Sequence, residues 1–169
     1  MTTEAEQRHT IAVLVDNEPG VLARVIGLFS GRGYNIESLT VAEVDRARGR
    51  SRINIVTTGT AQVIEQIKAL LDKLVPVHKV ADLTVEGPCL ERELALVKVT
   101  GDREKRLQAL RSADFMHARL VDSTRDSFVF EITGSSEEVD AFVDLMEPLG
   151  LAEVSRAGVV AIAHGARTL

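Results

Sequence analysis

Asp16-Asn17-Glu18-Pro19-Gly20-Val21-Leu22 separates two segments of opposite periodicity. The apolar run before it, Ile11 to Val15, reads as a strand. The run after it, Val21-Leu22-Ala23-Arg24-Val25-Ile26-Gly27-Leu28-Phe29, carries apolar residues at helical spacing. A tight polar turn from a buried strand into a helix leaves the first helical N–H groups without intrahelical partners. Those donors, with the positive end of the helix dipole, suit a carboxylate or another small anion. Gly20 lets a ligand approach the backbone, and Asn17 offers an amide that both donates and accepts. Capping alone also accounts for the turn: Asp16 or Asn17 can N-cap the helix, and Pro19 suits its first turn.

Outward from that turn the first half parses as βαββαβ. Strand Thr10–Val15 leads to helix Val21–Arg32, which Gly31 and Gly33 end with left-handed cap geometry. Strand Ile36–Val44, the polar loop Asp45–Arg50 and strand Arg52–Thr58 form a hairpin, with Ile53 and Ile55 on one face. Helix Ala61–Leu74 carries Val63, Ile64, Ile67, Leu70, Leu71 and Leu74 on an apolar stripe, and strand Val77–Val85 closes the unit.

The second half repeats the order. Strand Leu94–Val99 precedes helix Arg103–Ala113, whose Leu107 and Leu110 are expected to face the core. Strands Ala118–Asp122 and Phe128–Thr133 flank the turn Thr124-Arg125-Asp126. Ser135 with Glu138 fits a capping box ahead of a helix lined by Val139, Phe142, Val143 and Met146. Pro148-Leu149-Gly150 stops that helix, and Leu151–Val154 with Val159–Ile162 supplies the last strand region. The fold class is therefore α+β: two tandem ferredoxin-like βαββαβ sandwiches. The expected domains are 1–85 and 86–169, joined near the polar stretch Glu86 to Glu93. Units this small bury little core, so pairing through sheet edges or helices into a homodimer is expected.

Composition narrows the function classes. With 45% apolar residues in 169, the chain is globular. No apolar run approaches the roughly 20 residues that span a bilayer, and the charged start, Met1 to Arg8, lacks the apolar core of a signal peptide; a cytoplasmic location is expected. A single cysteine, Cys89, excludes an internal disulfide. The net charge of −5 and the scarcity of aromatics argue against a nucleic-acid partner.

No catalytic constellation emerges. His9, His78, His117 and His164 are scattered without metal-ligand spacing, no serine sits in a nucleophile elbow, and no phosphate-binding glycine loop is present. Cys89 has no visible base. The series Arg46, Arg48, Arg50, Arg52 is the most basic segment; it reads as a solvated loop or as a contact site for an anion. Phe128-Val129-Phe130 invites an RNA reading because RNA-recognition motifs share the βαββαβ order, but the glycine-aromatic pattern is missing and Asp126 and Glu131 flank the pair. Two Phe on one strand face read as core.

Asn17-Glu18-Pro19-Gly20-Val21-Leu22, with Arg24 to Phe29 and Arg32-Gly33-Tyr34-Asn35-Ile36-Glu37-Ser38-Leu39-Thr40-Val41, resembles the regulatory small subunit of acetohydroxyacid synthase, also called acetolactate synthase. The resemblance continues through Glu91-Arg92-Glu93-Leu94 and Leu96-Val97-Lys98-Val99 to Phe142 and Arg156-Ala157-Gly158. It implies an ACT domain followed by a second ferredoxin-like domain. It implies that ACT domains pair and hold a branched-chain amino acid at their interface: valine, with leucine and isoleucine as the other candidates. Position by position, Asn17, Pro19 and Gly20 belong to the turn that grips the ligand's carboxylate and ammonium groups. Asn35 comes from the partner protomer, and Val21, Leu22 and Ile36 are apolar neighbours. Met116-His117 and His164 depart from the family pattern.

The resemblance further implies a non-catalytic chain that activates a large catalytic subunit and confers feedback inhibition on it. Thiamine diphosphate, FAD and Mg²⁺ are implied for that catalytic partner, and no cofactor for this chain. A free-standing ACT-domain amino-acid sensor acting on another enzyme or regulator is the alternative.

Overall fold

The computed structural model describes residues 5–169; the first four residues of the charged N-terminal segment, and of the expected first domain, lie outside the described residues. The chain divides into two compact units. One comprises the residues up to Leu90 together with Val159–Leu169, the other Glu91–Gly158.

In the first unit the elements are β1 (Gln7–Asp16), α1 (Val21–Ser30), β2 (Ser38–Asp45), β3 (Arg50–Gly59), α2 (Ala61–Asp72) and β4 (Val77–Asp82). The sheet order is β2-β3-β1-β4 and every pairing is antiparallel. Alternation along each strand sends one set of side chains toward the helices. Ile11, Val13, Val15, Ile53 and Ile55 form that face and pack against Val25, Leu28 and Phe29 of α1 and Ile64, Ile67 and Leu71 of α2. Burying side chains of this size stabilises by about 1.5–3 kcal/mol each, which explains why β1 and β3 read so clearly in the sequence. The opposite face carries the small residues Ala12 and Ala81. Leu83 and Ala161 complete a second, smaller cluster with them.

In the second unit β5 (Cys89–Thr100), α3 (Arg103–Phe115), β6 (Arg119–Ser123), β7 (Ser127–Gly134), α4 (Ser136–Met146), a 3₁₀ turn (Glu147–Leu149) and β8 (Leu151–Arg156) repeat the connectivity. The path β6-β7-β5-β8 repeats the order of the first sheet, and a further strand, β9 (Val160–Ala163), pairs with β5. Phe130 and Phe142 stack edge to face at 6.1 Å in its core. Phe128 packs against the same cluster, so the aromatic pair of β7 is core, as its alternation indicates.

Three expectations are corrected. Leu107 and Leu110 do not face the core: they are 44% and 37% exposed, while Ala109 and Ala113, four residues apart on another stripe of α3, are buried. With Phe130 and Phe142 filling the core, α3 meets it through small side chains. Gly31 is right-handed at φ −65°, and only Gly33, at φ 70°, is left-handed. Tyr34 N–H donates to Phe29 O and Gly33 N–H to Ser30 O, a complete Schellman ending built on one glycine. Finally, β9 (Val160–Ala163) lies with the first unit. The backbone of Val159 is held there by β2, its N–H donating to Ser38 Oγ at 2.8 Å and its carbonyl accepting from Thr40 Oγ1 at 3.1 Å.

Candidate functional site

The turn between β1 and α1 is set by backbone bonds. Asp16 N–H donates to Pro76 O and Asn17 N–H to Gly49 O, fixing the end of β1. Asp16 is the last strand residue and its carboxylate meets His78 Nε2 at 2.5 Å, so it does not cap α1. Asn17 does not cap it either: its Nδ2 donates to Glu43 Oε1 at 3.2 Å. The N-cap position belongs to Gly20, left-handed at φ 86°, and no side chain accepts from the first turn. Val21 N–H reaches Glu18 O at a long 3.4 Å, and Arg24 N–H begins the helical ladder on Gly20 O. The amides of Leu22 and Ala23 therefore have no partner among the described residues.

Asn17, Glu18, Pro19 and Gly20 are exposed, Val21 is buried and Leu22 half-buried. A Cβ built on Gly20 would meet nothing within 4 Å, so the space over the turn is open. The other three α-helices contrast with α1. Thr60 accepts from Val63 N at the start of α2, Asp102 from Lys105 N at the start of α3, and Ser135 from Glu138 N at the start of α4, where the capping box is complete. Among the described residues three helix starts are capped by side chains and α1 is left to backbone alone.

Asn35 follows the other end of α1. Its carbonyl accepts from Thr57 Oγ1 at 2.6 Å, and its side chain is exposed; Ile36 beside it is half-buried against the first core. Ten helical residues span about 15 Å. Asn17 and Asn35 of one chain thus lie at opposite ends of α1 and do not meet on one small ligand.

The arginine series divides. Arg46 and Arg48 pair with Glu43 and Asp45 at the hairpin surface. Arg52 instead lies on β3 and donates to Ala161 O and Asn54 Oδ1. His9 is buried and bonded through Nδ1 to Asp82 Oδ2 at 2.7 Å, an internal pair rather than an open ligand. Among the described residues no group of three His, Cys, Asp or Glu side chains is placed to hold a metal ion, and no helix is long and apolar enough to cross a membrane.

In the second unit the densest polar cluster sits on Arg156, which sequence reading noted only as part of a resemblance. Its Nε and Nη2 grip both oxygens of Glu93 at 2.6 and 2.8 Å, and its Nη1 meets Asp140 Oδ1 at 2.5 Å. Glu93 is buried and also accepts from Ser136 Oγ. The fork of donors from Arg156 holds the Glu93 carboxyl below the usual carboxylate range. This cluster ties β5 to β8 and α4 and is structural.

A βαββαβ unit whose first helix starts on an open glycine turn, followed by a second unit of the same order, is the architecture of an ACT-type regulatory chain. Residues 11–79 match the model of the AHAS small subunit-like ACT domain, and residues 92–165 that of the small subunit of acetolactate synthase. The chain is 41% identical over 163 residues to the acetolactate synthase small subunit of Haemophilus influenzae, covering 96% of this chain and 99% of that one. It is 40% identical to the small subunit of Mycolicibacterium smegmatis, covering 94% and 92%. The crystal structure of the small subunit from Thermotoga maritima superposes with a TM-score of 0.84 at 36% identity, over 92% of this chain and 96% of that one. The chain belongs to the family of acetolactate synthase small subunits, regulatory chains whose catalytic work is done by a large subunit.

Proposed function

We propose that this chain binds the large catalytic subunit of acetolactate synthase in the cytoplasm, raises its activity and makes it sensitive to valine. The observation that carries the reading is the start of α1, where Gly20 leaves the Leu22 and Ala23 amides open beside the Asn17 side chain. A valine carboxylate there meets backbone donors and the helix dipole. Asn17 and the backbone around Pro19 and Gly20 take its polar groups, and Val21, Leu22 and Ile36 its branched side chain.

Asn35 and Ile36 are supplied by a second copy in this reading, because α1 separates both from Asn17 within one chain. Pairing of two first units is supported by β2, an edge strand whose Val41 and Val44 are exposed. Thiamine diphosphate, FAD and Mg²⁺ belong to the catalytic partner. Valine shifts the complex only through a difference in its affinity for the active and inhibited arrangements, and by linkage the large subunit alters valine affinity in return.

Mixing the chain with its cognate large subunit and following acetolactate formation tests this. The expected result is a several-fold rise in rate that valine reverses, with leucine and isoleucine as comparison ligands. Asn17→Ala should keep the rise and lose the reversal. No rise at saturating chain contradicts the regulatory role, and full valine reversal in Asn17→Ala contradicts the site.

A further inference from the structure

The sheet face of the first unit that points away from α1 and α2 holds a second feature. Arg52 on β3 and Lys79 on β4 both pair in register with Leu14 of β1, so the two cations stand in one row on one face with a leucine between them. Their strands are about 9–10 Å apart, two strand spacings, within reach of one small ligand between them. In the next row Asn54, Ala12 and Ala81 stand side by side, and the two alanines leave a depression. Ile162, Ala163 and the segment Arg167–Leu169 complete the walls of a cavity of about 260 Å³ over it.

Three cationic side chains and one carboxylate side chain line this cavity: Arg52, Lys79 and Arg167, with Glu86. Glu86 is engaged in accepting from Asp82 N–H at 3.0 Å. Arg52 donates to Ala161 O and Asn54 Oδ1, Lys79 to Thr168 O, and the Arg167 guanidinium lies against the Gly87 backbone, 3.5 Å from where a Cβ would stand. None of the three makes an ion pair with a carboxylate among the described residues. That is uneconomical in a chain with 25 acidic against 20 basic residues, where Arg46, Arg48, Arg119 and Arg156 all find one. Burial also lowers the Arg52 guanidinium from its ordinary value with no anion to offset it.

We propose that this cavity binds a small, multiply charged anion through a phosphoryl group, held by Lys79 and Arg167 above Arg52. Lys supplies a point charge and Arg a fork of donors, the pair of groups that phosphoryl oxygens accept from best. The volume lies just below the roughly 300–1,000 Å³ of sites for drug-sized ligands, so a compact ligand fits and a dinucleotide does not. The assignment is independent of the valine reading: the cavity lies on the face of the sheet opposite the helices, and none of its lining residues belongs to the Asn17 turn.

The test is calorimetric titration of the full chain with pyrophosphate, inorganic phosphate and succinate at fixed ionic strength. Pyrophosphate should bind saturably. Lys79→Gln and Arg167→Gln should each weaken it about tenfold, the loss of one charge-assisted contact, and the double variant should abolish it with its thermal unfolding unchanged in anion-free buffer. Asn17→Ala should bind as the unaltered chain does. Saturable binding that survives in Lys79→Gln and Arg167→Gln overturns the proposal, as does no binding by the unaltered chain at millimolar pyrophosphate. Succinate binding as tight as pyrophosphate overturns the phosphoryl assignment, and an equal loss in Asn17→Ala moves the anion to the α1 turn.

Discussion

The starts of α1 and α3 occupy the same place in two copies of one topology, yet they are finished in opposite ways. At α3 the chain closes itself. Asp102 caps the first turn, Thr100 N–H donates to Gly150 O, and a Cβ on Gly150 would lie 1.9 Å from Thr100 O. At α1 the strand end is fixed in the same manner, Asp16 N–H donating to Pro76 O, but the helix start is left to a left-handed glycine with open space above it. One fold thus carries a sealed junction and an unsealed one. With glycine at the N-cap the missing side-chain cap forgoes only a few tenths of a kcal/mol, and the open first-turn amides are where a ligand's carboxylate can dock.

The contrast can be broken most severely from the sealed side. Gly150→Ala drives a methyl group into the Thr100 carbonyl at a φ of 97° and should cost about 4 kcal/mol, read as loss of the unfolding transition of the second unit. Arg156→Ala comes next. It strands the buried Glu93 carboxylate, and because Arg156 is itself about one-third exposed the expected cost is discounted to about 2–3 kcal/mol.

The same pair gives a pH dependence. Glu93 is held below its ordinary pKa of about 4.3 by Arg156, so its contribution is fully present above that value and is lost as the pH falls through the depressed one. Denaturant unfolding from pH 6 to 3 should show this acid loss in the unaltered chain and a smaller one in Glu93→Gln.

Smaller effects sharpen the comparison at the helix starts themselves. Asp102→Ala should cost about 1 kcal/mol by removing a working cap. Gly20→Ala should cost a similar amount, about 1–2 kcal/mol, for a different reason, the left-handed backbone. Asn17→Ala, exposed and not a cap, should change stability by less than about 0.5 kcal/mol. Equal losses in Asn17→Ala and Asp102→Ala, measured by chemical denaturation, would show that Asn17 supports α1 after all.

Much of this was legible in the residues, and the misses have particular causes. Strands β1 and β3 and helices α2 and α4 announce themselves because large apolar side chains recur at the right period, and Ser135 with Glu138 marks the start of α4 outright. Leu107 and Leu110 mislead because hydrophobicity alone does not tell how much volume the core has left. With Phe130 and Phe142 already filling the core, the contact stripe of α3 is built from Ala109 and Ala113. Asp16 and Asn17 look like caps from spacing alone; their side chains are taken by His78 and Glu43, which are distant in sequence. The place of Val159 against Ser38 and Thr40 crosses about 120 residues and leaves no local signal. The arginine series could be read only as one basic run. The strand register separates Arg52 from the surface pairs of Arg46 and Arg48.

The direct test of the open helix start is calorimetric titration of valine into the unaltered chain, Asn17→Ala and Asp102→Ala. The expected result is saturable binding that Asp102→Ala retains and Asn17→Ala weakens at least about tenfold, the equivalent of 1.4 kcal/mol. Valine binding of equal strength in Asn17→Ala, or loss of binding in Asp102→Ala alone, would contradict it.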